Sequence, residues 1–452
     1  MSEQEKASAR RKRATFGVVF LTIFLDMVGF SVMFPLFPAM LDHYLERESL
    51  LGGGILTTFV TFIDGMAFDA EGVSNDAFHF ETVIFGGVLG SLYAILQFFF
   101  APIWGRLSDK FGRRPILLLT LGGTCLGYAL WVFAGTFWVL VLSRILGGIA
   151  SGNLSVATAS IADVTSRESR SKGMAFVGVA FGLGFVLGPA LGGWAYGYSW
   201  ESESQGFFAL NKFSLAAIIS LTLGLVNWIW LAKCFKETLP KEKRAPVDRP
   251  KPVVFQLGKV SNVAVRKTCL SYFFYMISFS GMEFTLTFLA VERFSYAPLE
   301  ISKMFLLIGI TLILAQGVFV RRFVGPLGEK KLALAGILIG VVAFGMISAI
   351  QGETWFYIAL FLMSTGVAFI SPTLTALTSL HSKDTDQGFH LGVFRSSGSM
   401  ARACGPLLAG LLYFKFGSSF AYLIGAIFLL IPAVFLFGVP QPDMKISEKT
   451  RN

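Results

Sequence analysis

Hydrophobic residues in this chain gather into long runs with few polar interruptions. A helix needs about 20 residues to cross the hydrocarbon core of a bilayer, and it must close its backbone hydrogen bonds within itself. Twelve runs meet that requirement: 16–37, 83–104, 115–133, 137–159, 173–196, 213–232, 268–289, 303–320, 332–350, 355–378, 389–413 and 419–438. Strands of a membrane barrel would instead be segments of about ten alternating residues, and these runs do not alternate. The pattern predicts an all-α membrane protein with twelve transmembrane helices, called spans 1 to 12 below.

The polar gaps organise the spans. Two stretches are basic and irregular: residues 1–15, and residues 233–267, which contain "KETLPKEKRAPVDRPKP" and ten Lys or Arg. The second reads as a cytoplasmic linker. It separates an N-terminal six-helix bundle, 16–232, from a C-terminal one, 268–438, with a cytoplasmic tail at 439–452. A sequence trace supports duplication of one six-helix unit. "GLGFVLGPALGG" in span 5 and "GSMARACGPLLAG" in span 11 align on their Gly-Pro pairs, which sets Gly184, Gly188 and Gly192 opposite Ala401, Gly405 and Ala409.

Composition agrees with the pattern: 54% of the 452 residues are hydrophobic and 15% charged, where a soluble chain reaches about 25% charge. With the N-terminus cytoplasmic, 30 of the 38 Lys and Arg fall in cytoplasmic segments. Five lie outside (Arg47, Lys212, Arg293, Lys303, Lys415) and three within spans (Arg144, Arg395, Arg402), as the positive-inside rule requires. The net charge of +10 is therefore mostly topology, and no basic, aromatic-lined module supports nucleic-acid binding. "ARRKR" at 9–13 precedes an apolar run too long for a signal peptide, so span 1 is expected to stay uncleaved. The loop 39–82 holds eight Asp or Glu against one Arg; it reads as a solvated acidic loop, with capture of cations as the alternative. Cys125, Cys234, Cys269 and Cys404 offer neither a disulfide framework nor metal-ligand spacing.

"GRLSDKFGRRP", residues 105–115, lies between spans 2 and 3, where the chain reverses on the cytoplasmic side. Arg106, Lys110, Arg113 and Arg114 hold that side, while Gly105 and Gly112 permit tight turns. Asp109, an acid among bases, is expected to form an ion pair or to cap a neighbouring helix. The stretch resembles the signature loop of the major facilitator superfamily, Gly-x-Leu-x-Asp-(Arg/Lys)-x-Gly-(Arg/Lys)-(Arg/Lys), which Gly105, Leu107, Asp109, Lys110, Gly112, Arg113 and Arg114 match. "RILGGIASG" in span 4 resembles the second motif, with Arg144 and Gly148. "GFVLGPALGG" is similar to the antiporter motif, matched by Gly184, Gly188, Pro189, Gly192 and Gly193. "FLDMVGFSVMFPLFP" looks like the first span of tetracycline-type drug:proton antiporters.

The resemblance implies two bundles rocking about a central site near the bilayer midplane, a major facilitator fold working by alternating access. In that scheme Asp109 would pair with the cytoplasmic end of span 11 in the outward-open state; the alternative is a loop that only anchors topology. Gly184, Gly188 and Gly192 would make a smooth face for close helix approach and Pro189 a bend, a pattern that marks antiporters in the family, or else tight packing alone.

Charges inside spans are costly unless paired or hydrated, and so point to chemistry. Asp26 sits near the middle of span 1. Arg144 in span 4 is offset from it by about 6 Å along the membrane normal at 1.5 Å per residue, a gap its side chain bridges. Asp26 is therefore a candidate proton carrier coupled to Arg144, with a static ion pair as the alternative. Glu283 in span 7 is the second candidate. Arg395 and Arg402, seven apart on span 11, share one helix face. They serve either as its counter-ions or as a site for a substrate carboxylate. Phe30, Phe34, Tyr272 and Phe279 are expected wall residues. Two acids against three bases disfavour a multiply cationic cargo and predict a neutral, zwitterionic or anionic amphipathic molecule.

Departures from the tetracycline exporters matter. Their intramembrane acid in span 3 and histidine in span 8 are missing; span 8 offers only Gln316, and "RRFVGPLGEKK" at 321–331 lacks the signature aspartate. Tetracycline–metal export is not expected. His390 reads as an interfacial histidine. No nucleophile–base pair, metal cluster or phosphate-binding Gly-Lys-Ser loop is present, so neither an enzyme nor an ATP-driven pump is indicated, and no cofactor or metal is expected. The expected function is proton-coupled efflux of a small organic molecule by a multi-pass, monomeric protein whose partners are substrate, protons and the lipid bilayer. A proton symporter or passive uniporter of a sugar or organic acid is the alternative. A bacterial inner membrane is the expected location, and a eukaryotic organelle also fits the topology.

Overall fold

A computed structural model of the chain describes residues 3–50, 54, 56–58, 81–164, 167–198, 206–244, 257–382 and 387–441. Among them the only pairing of extended chain is an isolated bridge between Ala134 and Phe208. The rest is helix and short connections. In chain order the α-helices are α1 (Glu3–Ser31), α2 (Phe37–Leu50), α3 (Glu81–Phe111), α4 (Arg113–Val132), α5 (Phe137–Ala150), α6 (Asn153–Val164), α7 (Arg167–Tyr196), α8 (Ser214–Cys234), α9 (Val263–Phe294), α10 (Pro298–Leu314), α11 (Arg321–Ala349), α12 (Glu353–Leu380), α13 (Gln387–Phe428) and α14 (Leu430–Phe437).

Nine helical stretches among the described residues are long and apolar enough to cross a membrane. The last, His390–Phe437, is 48 residues long and turns at Gly417, whose φ of +77° breaks α13, so it accounts for two passes. α3 and α7, 31 and 30 residues long, bring the passes to the twelve that the sequence pattern predicts. Exposed apolar side chains such as Phe99, Leu119, Val342 and Val434 give these helices the lipid-facing surface a bilayer requires.

The structure departs from the predicted runs in three places, each with a local cause. Span 1 continues beyond residue 37: after α1 a 3-10 turn, Phe34–Leu36, carries the chain into α2, so residues 39–50 of the predicted acidic loop are helical. Residues 59–80 of that loop lie outside the described residues. Span 4 is two helices, because α5 stops at Ala150 and α6 restarts at Asn153. Span 8 ends in a π-helical turn, Ala315–Val320, that exposes Gln316. The sequence between spans 8 and 9 turns at Gly328, φ +75°. Of the predicted linker, residues 245–256 lie outside the described residues, as do 442–452 of the tail.

By internal packing the chain forms two units: the described parts of 1–66, 92–252 and 296–306, and those of 67–91, 253–295 and 307–452. Each is built around a seam between two helices. In the first unit α7 lies on α1 so closely that a Cβ on Gly188 would sit 2.7 Å from Val28 O and 3.0 Å from Val32 N, and one on Gly184 would meet Met27 Cβ at 2.7 Å. Ser31 Oγ donates across this seam to Gly184 O at 3.3 Å. In the second unit α13 lies on α9 in the same way. A Cβ on Gly405 would stand 2.8 Å from Ile277 O and 3.1 Å from Gly281 N, and Ser280 Oγ donates to Ala401 O at 3.4 Å. The alignment of Gly184, Gly188 and Gly192 with Ala401, Gly405 and Ala409 thus corresponds to one packing arrangement used in both units. Small residues spaced by four allow helix backbones to approach where lipid gives no hydrophobic drive.

Candidate functional site

Asp26 is half-buried on α1. Its carboxylate Oδ1 accepts a 2.7 Å hydrogen bond from Asn153 Nδ2, the first residue of α6. The expected bridge to Arg144 is not made. Arg144 projects from α5, on the other side of the span 4 break, and is 4% exposed. Its Nε donates to Ser143 Oγ at 3.2 Å, Nη1 reaches Met33 Sδ at 3.4 Å, and the guanidinium lies over the Trp131 ring, 5.0 Å from the centroid. The break separates Arg144 from Asn153: a continuous span 4 would carry both on one rod, whereas here each half has its own contacts.

Above Asp26, Phe30 and Phe34 meet edge to face at 5.2 Å, and Phe30 packs at 4.8 Å on Tyr93. Both phenylalanines are half-buried. The predicted wall residues of the first unit are therefore gathered beside the predicted acid.

In the second unit Glu283 is half-buried on α9, with Arg402 of α13 close enough to act on its charge. Arg395, two turns earlier on α13, is exposed and feels Arg402 and Tyr272. Tyr272 stacks face to face on Phe394 with ring centroids 3.9 Å apart, and Gly398 leaves room for the Tyr272 ring. Phe279 stacks on Tyr275 at 5.9 Å. Glu283, Arg402, Arg395 and Tyr272 thus belong to one facing pair of helices. His390, at the start of the last apolar helical stretch, is buried, and its Nδ1 meets Ser382 Oγ at 2.8 Å.

The signature loop forms a charged bracket within the first unit. Arg113, only 6% exposed, bonds Asp109 Oδ1 at 2.7 Å, Asp163 Oδ2 at 2.9 Å and Ser108 Oγ at 2.6 Å. Asp109 is thus an ion-pair member rather than a cap. Capping falls to Glu237: its Oε1 accepts from Arg113 N at 2.8 Å and its Oε2 from Arg114 N at 3.2 Å, satisfying backbone donors that open α4. Gly112 makes this possible, with φ +106° and no side chain where the Glu237 carboxylate lies. Arg114 Nη2 donates to Ala232 O at 2.7 Å. Lys110 lies over the Phe111 ring, and Gly105 faces Ser155. Glu237 belongs to the "KETLP" stretch that the sequence assigns to the linker. Its acid–Thr sequence directly after a span was the available signal.

The antiporter-type motif divides its glycines between two neighbours. Gly184 and Gly188 face α1, the helix that carries Asp26, Gly192 faces Val32 and Pro35 in the turn that follows it, and Gly193 faces Pro298 and Ser302 at the start of α10. Ser302 Oγ donates to Pro189 O at 2.6 Å. Sequence reasoning also missed a cluster at the far end of the second unit. There Glu292 accepts from the Tyr413 hydroxyl and from Ser418 Oγ at 2.9 Å, and Arg293 donates to Ile347 O and Ile350 O at 2.7 and 2.8 Å.

Twelve passes, two seamed units and half-buried acids at mid-span define a membrane transporter rather than an enzyme. The family model of the Major Facilitator Superfamily matches residues 19–402 and 327–452. Human major facilitator superfamily domain-containing protein 10 is 35% identical over 462 aligned residues, covering 96% of this chain and 95% of that protein. The class B tetracycline resistance protein of Escherichia coli is 30% identical over 393 residues, covering 86% of each chain. The crystal structure of the human organic anion transporter MFSD10 (TETRAN) matches with a TM-score of 0.75 at 31% identity, over 94% of this chain and 99% of that one. A D-xylose-proton symporter, at 15% identity and a TM-score of 0.71, shares the fold. The chain belongs to the Major Facilitator Superfamily and is a multi-pass integral membrane transporter of small solutes.

Proposed function

We propose that this protein exports an amphipathic organic anion in exchange for protons by alternating access, with both termini cytoplasmic. The observation that carries the reading is the division of charge between the units. The first offers a carboxylate, Asp26, held by a neutral amide, suited to taking up and giving back a proton. The second offers two arginines of α13 next to an aromatic stack, suited to a carboxylate on an apolar body. That a 31%-identical structural relative is an organic anion transporter supports the anionic cargo, as does the excess of base over acid among the intramembrane charges.

Protein reconstituted in liposomes tests the reading, with an imposed pH gradient and a panel of radiolabelled amphipathic carboxylates against dicationic dyes. Carboxylates are expelled and dyes are not. Asp26→Asn lowers gradient-driven exchange at least tenfold, and Arg402→Gln raises KM for the carboxylate about tenfold, the loss of one charge-assisted contact. Export of dyes without carboxylates, or undiminished exchange in Asp26→Asn, overturns it.

A further inference from the structure

Span 4 carries the clearest departure of the first unit from a plain membrane helix, and the departure is built rather than accidental. Gly152 N turns back to Ala150 O at 2.7 Å, and Ser151 Oγ donates to Gly148 O at 2.7 Å. Trp104 of α3 packs directly on Gly152, where any side chain would collide with it, and its Nε1 donates to Ile149 O at 2.6 Å. That carbonyl would accept from Asn153 N in an unbroken helix; the tryptophan replaces the lost donor.

The break changes what Asn153 does. As the first residue of the 12-residue α6 it sits where backbone N–H groups lack intrahelical acceptors and the helix dipole favours negative charge. Its own Oδ1 accepts from Leu154 N at 3.0 Å. That bond fixes the orientation of the amide and turns Nδ2 toward Asp26 Oδ1, 2.7 Å away. Asn153 is 1% exposed, so water does not compete for the amide.

The other groups around Asp26 come from every neighbouring helix. α3 contributes Tyr93, and α4 contributes Tyr128 and Cys125. Arg144 of α5 is engaged elsewhere, by Ser143, Met33 and Trp131. α7 and α8 meet this part of α1 through Gly184, Gly188, Ser220 and Asn227, none of which titrates. Among the described residues, Asn153 is the one whose side chain donates to the acid.

We infer that Asn153 is the positioning residue of the proton site: it holds the ionised Asp26, and the break at Ser151–Gly152 sets it on a separate helix from Arg144. The inference rests on the reading of Asp26 as proton carrier.

Infrared difference spectroscopy on the full-length protein in liposomes tests it without a known substrate. The carboxyl C=O band that titrates in the wild type and vanishes in Asp26→Asn reports Asp26 directly. Asn153→Ala withdraws a donor from the ionised carboxylate, so the titration midpoint of that band moves to more alkaline pH by about one unit. Asn153→Asp, which keeps the shape, moves it further in the same direction because two acids then share the site. A midpoint unmoved in both variants overturns the role of Asn153 while leaving Asp26 as carrier. A wild type with no Asp26-dependent titrating band overturns the carrier reading itself, and this inference with it.

Discussion

The two units share a seam but not a charge plan. Ser31 and Ser280 make the same bond across the same small-residue face, which registers α1 against α9. In that register Asp26 lies five residues before the serine and Glu283 three residues after it, a displacement of about 12 Å along the helix axis. The ends of the units differ too. Where its chain begins, the first unit is locked by Arg113, Asp109, Asp163 and Glu237. The second is closed there by bonds to backbone carbonyls: Gln441 Nε2 donates to Leu327 O at 3.3 Å next to Gly328, Lys330 Nζ to Phe437 O at 3.1 Å and Lys267 Nζ to Gly438 O at 3.2 Å, and His381 Nε2 meets Pro440 O at 3.1 Å. At the opposite ends it is the second unit that carries the carboxylate. Tyr44 donates to Ala134 O at 2.7 Å, and Asn211 to the same carbonyl at 2.7 Å, in the first unit, against Glu292 and Arg293 in the second. What both units keep is the close approach of small residues, so the seam carries the fold and the charges are free to differentiate function.

The seam is therefore where substitution does most damage. Gly188→Leu and Gly405→Leu force a side chain against backbone atoms of α1 and α9, which cannot yield as a flexible side chain would. Each is expected to cost about 3 kcal/mol or more, read as a large fall in thermal unfolding temperature in detergent. Gly182→Leu and Gly392→Leu, where nothing stands within 4 Å of a Cβ, leave it near wild type. If the seam variants match these controls, the shared packing does not carry the fold.

How much of this the sequence discloses follows from the physics of each part. The twelve passes are legible because lipid demands long apolar runs. The seam is legible because four-residue spacing of Gly and Ala has few other uses in a span. Asp26, Glu283, Arg395 and Arg402 stand out because charge is costly in lipid. Asn153 does not: a neutral amide raises no such flag, and only "SGN" at 151–153, a helix-breaking and capping sequence inside a span, hints at it. Glu237, Glu292 and Arg293 are hidden for another reason. Charges at span ends are common for topological reasons, so their partners emerge only when the chain is folded.

The far ends offer the next contrast. Glu292→Gln removes the charge that accepts from Tyr413 and Ser418, and is expected to destabilise by about 2 kcal/mol, typical for hydrogen bonds to an ionised group. Tyr44→Phe in the first unit deletes a neutral bond and is expected to cost about 1 kcal/mol. Equal losses in thermal unfolding would mean that the charge at the far end of the second unit adds nothing to stability.

The smallest expected effects lie at the near ends. Glu237→Gln keeps the shape of the cap but weakens two bonds to the first backbone donors of α4, each charge-assisted in the wild type, and is expected to cost about 1 kcal/mol. The loss shrinks in high salt, because Arg244 Nη2 stands 3.9 Å from the carboxylate and part of the attraction is screened. Gln441→Ala, whose side chain is exposed and makes one 3.3 Å bond, is expected to cost no more than about 0.5 kcal/mol and to show no salt dependence. The two substitutions probe corresponding turns, Gly112 and Gly328. A salt-dependent loss at Gln441 as well would remove the difference between the two turns, and a salt-independent one at Glu237 would reduce its carboxylate to a neutral cap.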